Sequence, residues 1–238
     1  MSTYAPAVRG SAIVRAKISL FGQAMDEAAS QFWEHPQFLA AYREYIFQSH
    51  SIIRASVPLM QAAEQACRLP HYAADPALRL FGEYLRRHIP EETGHHEWIV
   101  DDGAVLGIER KQVLQRVPLP SATHIVGAQY YWIHHYSPIA LAGYIAVMEG
   151  NPPSIEFIGE VARRNRLPME AFSSFVYHAK IDGRHREDLD RLLDELPLTP
   201  DQSALIGLSA IRTMNLMAGI LEDINRIGSA LPSPGASV

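Results

Sequence analysis

Cysteine is nearly absent. Cys67 is the only one in 238 residues, which excludes an intramolecular disulfide and any thiolate cluster built within one chain. Basic stretches are missing too. The 21 Lys and Arg are outnumbered by 26 Asp and Glu, for a formal charge of −5 and a pI near 6.1. No Lys/Arg cluster gives the electrostatic footprint of a nucleic-acid partner. No apolar run approaches the length that crosses a bilayer. The opening "MSTYAPAVRGSAIVRAKISLFGQ" lacks the continuous apolar centre of a signal peptide. The expectation is a cytoplasmic protein without nucleic acid or membrane span. Strand-like alternation, internal repeats and low-complexity blocks are absent as well.

What is present is helical periodicity. With 47% hydrophobic residues, the chain can bury a large core. "QFLAAYREYIFQSHSIIRASVPLMQAAEQAC" places apolar residues three and four apart, with Pro58 expected to bend or interrupt the helix. A second long segment runs from Ala77, with a kink expected at Pro90 and a restart over "EETGHHEWIVDD". A short "ERKQVLQ" helix follows. "SATHIVGAQYYWIHHYSPIALAGYIAVMEG" reads as one long helix with Pro138 inside it. Ser154 is placed to cap "IEFIGEVARRN", a further helix starts near Pro168, and Thr199-Pro200-Asp201-Gln202 opens the last one. The reading is an all-α, single-domain bundle of about seven or eight helices over residues 1–238, with 1–15 and 230–238 as flexible tails.

One stripe of this pattern is out of place. In "FVYHAKIDGRHREDLDRLLDEL", His178, Asp182 and His185 are four and then three residues apart, so all three lie on one helix face. Two neutral imidazoles and a carboxylate suit a divalent iron, manganese or zinc ion. A wet helix face is the plain alternative, since Arg184, Arg186, Glu187 and Asp188 are close by. In "RRHIPEETGHHEW", Glu92 and Glu91 precede His95 by three and four residues. That is the carboxylate–imidazole pairing of carboxylate-bridged di-metal sites, and also ordinary acidic helix-start chemistry. Glu149 follows turns that are almost wholly apolar. A buried carboxylate needs a partner or a metal, unless this one simply ends its helix and reaches water.

Together, Glu92, His95, Glu149, His178, Asp182 and His185 offer three carboxylates and three imidazoles. Six protein ligands shared by two metals leave coordination positions open, as a catalytic site requires.

"EETGHHE", the lone Glu of "AGYIAVMEG" and the H-x3-D-x2-H of "HAKIDGRH" resemble, in order and interval, the haem-oxygenase-like diiron oxidases and oxygenases. The resemblance spans roughly residues 32–217 and implies the seven-helix fold of that family. It implies two Fe(II) ions per chain with O2 as co-substrate. Glu92, His95 and His178 would lie on or near one iron, Asp182 and His185 on the other, and Glu149 bridging or close to both. Some relatives place the first carboxylate seven residues before the His, a position held here by His88. Glu92 is therefore the first choice, Glu91 its substitute, and His88 an additional ligand or a support for one.

The implied activity is oxidative carbon–carbon cleavage, desaturation or N-oxygenation of a small carboxylate, an amino acid or fatty acid, in specialised metabolism. A homodimer is the expected assembly, and the residues name no electron donor. Arg54, interrupting an apolar helix, and Tyr131 and His135, in the aromatic run "AQYYWIHHYSP", are candidates to meet the substrate. Their alternatives are an ion pair or exposed face for Arg54 and core packing for the aromatics. Two other readings are a non-catalytic metal or small-ligand binder of the same fold, and a metal-free enzyme of the thiaminase-II type, which would need a reactive cysteine.

Overall fold

Local capping chemistry starts several of the helices. The computed structural model describes residues 9–150 and 152–230. Asp75 accepts from the backbone N–H groups of Ala77 (2.8 Å) and Leu78 (3.3 Å), with Pro76 in the first turn. Ser154 Oγ accepts from Phe157 N at 3.2 Å. Thr199 and Gln202 exchange side-chain bonds with each other's backbone N–H, the reciprocal pattern expected there.

The elements in chain order are α1 (Gly10–Phe21), α2 (Gln23–Trp33), α3 (Phe38–Cys67), α4 (Pro76–Glu92), α5 (His95–Val105), α6 (Arg110–Gln115) and α7 (Pro120–His135). They continue as α8 (Leu141–Met148), α9 (Ile155–Asn165), α10 (Ser173–Glu195) and α11 (Pro200–Ala230), with 3-10 turns at Pro138–Ala140 and Met169–Phe172. No strand occurs among the described residues. The all-α class and single domain are as the sequence implies.

Prolines and glycines divide the chain differently from expectation. α3 passes through Pro58, and α4 passes through Pro90. Arg54 and Arg86, whose carbonyls lose a partner, are exposed, as are both prolines, so water can replace the lost bonds. The break comes instead at Gly94, whose φ of +96° is a left-handed conformation that suits glycine. At Pro138 the expected single helix is two. Ser137 is driven to an extended conformation (φ −158°, ψ 132°), as the residue before proline tends to be.

The N-terminus also departs from expectation. Residues 10–15, assigned to a flexible tail, form the first half of α1. Ser11 N donates to Asp194 Oδ1 at 2.9 Å, and Arg15 pairs with Asp190. Residues 1–8 and 231–238 lie outside the described residues.

α11 runs through the middle of the bundle and packs on α1, α2, α3, α7 and α8. It corrects the expectation that no segment could span a bilayer. By length and composition Pro200–Ala230 is apolar enough, and 61% of its most apolar stretch is buried inside the protein. Its apolar faces hold Leu205, Ile206, Ile220, Leu221 and Ile224 against neighbouring helices, each worth about 1.5–3 kcal/mol of burial.

Candidate metal centre

Four helices deliver the interior polar cluster. α4 carries His88 and Glu92 one turn apart, α5 opens on His95, Glu149 ends α8, and α10 presents His178, Asp182 and His185. The Gly94 turn lets α5 restart at an angle, so that Glu92 and His95 face each other. His95 Nδ1 lies 3.0 Å from Glu92 Oε2, and His185 Nδ1 lies 3.2 Å from Glu92 Oε1. Across the cluster His88 Nε2 meets Glu149 Oε1 at 3.0 Å, and His185 Nδ1 is 3.7 Å from Glu149 Oε2. His88, Glu92, Glu149 and His185 each bring one ligand-capable atom within 4.8 Å of all the others.

Of the six first-choice residues, which four helices supply, Glu92, Glu149 and His185 form this tight group, and His88 completes it. Asp182 is buried beside them at 4% exposure. The His95 and His178 rings stand 5.4 Å apart and nearly perpendicular. Glu91, the substitute, sits on the rim at 40% side-chain exposure, with Arg184 3.5 Å away. Both Glu92 (to His95 and His185) and Glu149 (to His88 and His185) lie between histidines of different helices.

Electrostatics explain how such a cluster persists. Burial favours the neutral form of each group. Burial, then the charge of Glu149, pushes Asp182 up to about 7. Burial also raises Glu149 against the pull of His88. Glu92 goes the other way: burial would raise it, but His185 and His95 hold it far below the usual carboxylate range. Burial works against the charged form of His88 too, yet Glu149, Glu92 and Glu91 outweigh it and lift the ring to about 9.

The donor set fits a metal. His95 Nδ1, both ring nitrogens of His185, Glu149 Oε2 and Asp182 Oδ1 are buried without a hydrogen-bond partner. His95 Nδ1 and His185 Nδ1 stand 3.0 and 3.2 Å from the Glu92 oxygens, and His185 Nδ1 stands 3.7 Å from Glu149 Oε2, out of hydrogen-bond alignment, as lone pairs directed at a common cation would be. Glu92 and Glu149 face histidines rather than Arg or Lys. His178 is oriented as a ligand imidazole should be: Nδ1–H donates to Ser174 O at 2.8 Å, leaving the Nε2 lone pair free.

Residues not singled out by sequence support this arrangement. Asp102 of α5, fully buried, accepts from Ser173 Oγ (2.6 Å), Ser174 N (3.2 Å) and Ser174 Oγ, fixing the start of α10 one turn before His178. Trp98 stacks on His95 at 3.9 Å between ring centroids and meets His178 edge-on at 5.3 Å. Tyr84 stacks on His88 at 5.1 Å. Helical spacing places Tyr84 and Trp98 one turn from His88 and His95 and was the available signal. Asp102 and Ser173 are 71 residues apart and left none.

The three substrate candidates are not drawn in. Tyr131 and His135 lie exposed on the outer side of α7, 5.1 Å from each other, and Arg54 is exposed on α3. The inner face of α7 is made by Ala122, Ile125, Gln129 and Ile133, and the aromatic run falls on its half-buried and exposed sides. Cys67 is buried, and its thiol is pushed up to about 12 by burial and by Glu64.

A profile of iron-containing redox enzymes matches residues 65–217, a span that includes every residue of the cluster. A search of curated proteins returns no match. Among solved structures, the chain is similar to a domain of unknown function with a haem-oxygenase-like fold from Shewanella denitrificans. The TM-score is 0.69 at 19% identity, covering 90% of this chain and 88% of that one. It is also similar to a TenA homologue from Pseudomonas syringae, with a TM-score of 0.66 at 14% identity over 95% and 99% of the two chains. At these identities the two structures show the haem-oxygenase-like fold.

Proposed function

The chain belongs to the family of iron-containing redox enzymes, and on that premise we propose that it is a non-haem diiron, O2-dependent oxidase or oxygenase acting on a small carboxylate such as an amino acid or fatty acid. The observation that carries the reading is the buried group of His88, Glu92, Glu149 and His185, flanked by buried His95 and Asp182 and half-buried His178, with His95 Nδ1, both His185 ring nitrogens, Glu149 Oε2 and Asp182 Oδ1 lacking hydrogen-bond partners. Seven ligand-capable side chains exceed what one ion needs and suit two, with Glu92 between the His95 and His185 sides. Bound ferrous iron would supply the one-electron and dioxygen chemistry that no side chain offers.

The chain's own residues would do the rest. Glu92, Glu149 and Asp182 offset most of the charge of two divalent ions, and histidines from three helices orient them. Ser174 O fixes the His178 tautomer. Trp98 and Tyr84 cover the rings of His95 and His88 and keep water from those faces. Glu91, on the rim between His88 Nδ1 (3.4 Å) and Arg184 (3.5 Å), is placed to hold or release a proton at His88 Nδ1.

The thiaminase-type reading has less support. A nucleophilic cysteine needs a depressed pKa and access, and the one cysteine of this chain has neither. The test is anaerobic loading with ferrous iron, then oxygen uptake across a panel of amino acids and fatty acids, for wild type and Asp182→Ala. Uptake dependent on one substrate and lost in the variant supports the reading. Stoichiometric iron with no oxygen uptake under any condition favours a non-catalytic binder.

A further inference from the structure

His50 of α3 is 1% exposed, yet neither ring nitrogen has a hydrogen-bond partner. Burial, then the charges of Arg54 and His96, holds its pKa down at about 4. Near pH 7 the ring is therefore neutral and carries one N–H and one lone pair, both unsatisfied. Buried polar groups are almost always paired, so such a ring calls for a partner.

The surroundings say what kind. Arg54 is one turn along the same stripe of α3, exposed, and forms no ion pair or hydrogen bond among the described residues. The His96 ring, from α5, lies 6.1 Å from His50 at 55°. Arg110 is a further cation acting on His50, and Glu97 is the acid among the groups that do so. Glu97 is already taken: Arg110 Nη2 is 2.8 Å from Oε1, and His96 Nε2 is 3.3 Å from the same oxygen. Glu97 offsets the charge of Arg110, which leaves the Arg54 guanidinium as the uncompensated charge acting on the neutral His50 ring, an arrangement that favours an anion over a metal ion.

We propose that His50, Arg54 and His96 form a receptor for a small oxyanion, a carboxylate or a phosphate, with the His50 N–H and the Arg54 fork as its principal donors. Arginine matches the planar geometry of such groups, and a charge-assisted bond to each oxygen would satisfy the His50 N–H. On this proposal an oxyanion would enter past His96, Glu97 and Arg110, whose side chains are 38%, 39% and 54% exposed. An exposed ion pair of this kind holds little energy against opening. The site uses none of the residues of the metal centre and needs no iron, so it stands or falls separately from the function proposed above.

The test is imidazole NMR on the metal-free full chain at pH 7 and low ionic strength. Sodium acetate and sodium phosphate are titrated in separate arms, against sodium chloride at matched ionic strength. The His50 ring signals should shift saturably with acetate, phosphate or both, and the two arms tell which oxyanion the site prefers. Arg54→Gln, an exposed change that leaves folding intact, should raise the half-saturation concentration roughly tenfold. His50→Gln should remove the saturable response of His96. No shift beyond that given by chloride would overturn the proposal, as would a response undiminished in Arg54→Gln.

Discussion

His88 Nε2 stands 3.0 Å from Glu149 Oε1, although 61 residues separate the two in the chain. The contact joins the last turns of α4 to the end of α8 and makes His88 part of the cluster. Its other nitrogen faces Glu91 on the rim at 3.4 Å. Replacing His88 by alanine is expected to weaken ferrous-iron binding by about 10–100-fold, the size of effect seen when a group that orients or joins a metal site is lost. Glu91→Ala, at 40% side-chain exposure, should change it by less than about threefold, within the range of exposed polar contacts. Anaerobic calorimetric titration of both variants distinguishes inner from rim positions.

Asp182 is buried near Glu149, and burial pushes its pKa up to about 7. At pH 8 the metal-free protein therefore holds an ionised, poorly compensated carboxylate. Asp182→Asn should stabilise that metal-free form by roughly 1–3 kcal/mol, a rise in Tm of about 2–4 °C for each kcal/mol. The same change should abolish the further rise in Tm that ferrous iron gives the wild type. Thermal unfolding with and without iron reads both effects, and a destabilised metal-free variant would contradict the prediction.

Arg15 clamps two of the helices that carry the site. Its Nε and Nη2 reach Asp190 of α10 at 2.9 and 2.8 Å, and Nη1 donates to the Ala146 carbonyl of α8 at 2.7 Å. Arg15→Ala leaves that carbonyl and carboxylate without their partner, and should lower stability by about 1–3 kcal/mol in denaturant unfolding. Arg15→Lys should recover part of the loss, because a single ammonium can replace the pairing with Asp190 but lacks the fork that also reaches the Ala146 carbonyl.

Asp102 supplies a pH dependence outside the cluster. Burial raises its pKa from 3.8 to about 6, against the opposing bonds from Ser173 and Ser174. An acid with a raised pKa binds its proton more tightly in the folded state. Its contribution to stability is full below about pH 3.8 and is lost as pH rises through about 6. The stability of Asp102→Asn relative to wild type should therefore climb between pH 4 and pH 7, by up to roughly 3 kcal/mol. Urea unfolding of the two metal-free proteins across that range measures the difference directly.

The site was readable where its residues share a helix. His178, Asp182 and His185 form one stripe, so their common direction follows from 3.6 residues per turn; Glu92 and His95 were picked out by the same spacing although the Gly94 turn puts them on different helices. His88 was legible as a residue but not as a partner, because what brings it inside is Glu149, four helices later. Proline misled the division into helices. Pro58 and Pro90 sit on exposed faces, where water replaces the lost bond, whereas the positive φ at Gly94 makes the turn that aims His95. Residues 10–15 looked like a tail because their stability comes from Asp190 and Asp194, about 180 positions away. Tyr131 and His135 were drawn toward the site by composition alone, and the packing of α7 leaves both in solvent.

The most direct test of the central claim is the iron stoichiometry of the protein at equilibrium, by anaerobic dialysis against ferrous iron at pH 7.5 and metal analysis of the protein. Wild type should retain about two irons per chain, as a carboxylate-bridged, histidine-ligated pair requires, and Asp182→Ala distinctly fewer. Retention at background levels, or equal retention by wild type and Asp182→Ala, would contradict a metal centre built from these seven residues.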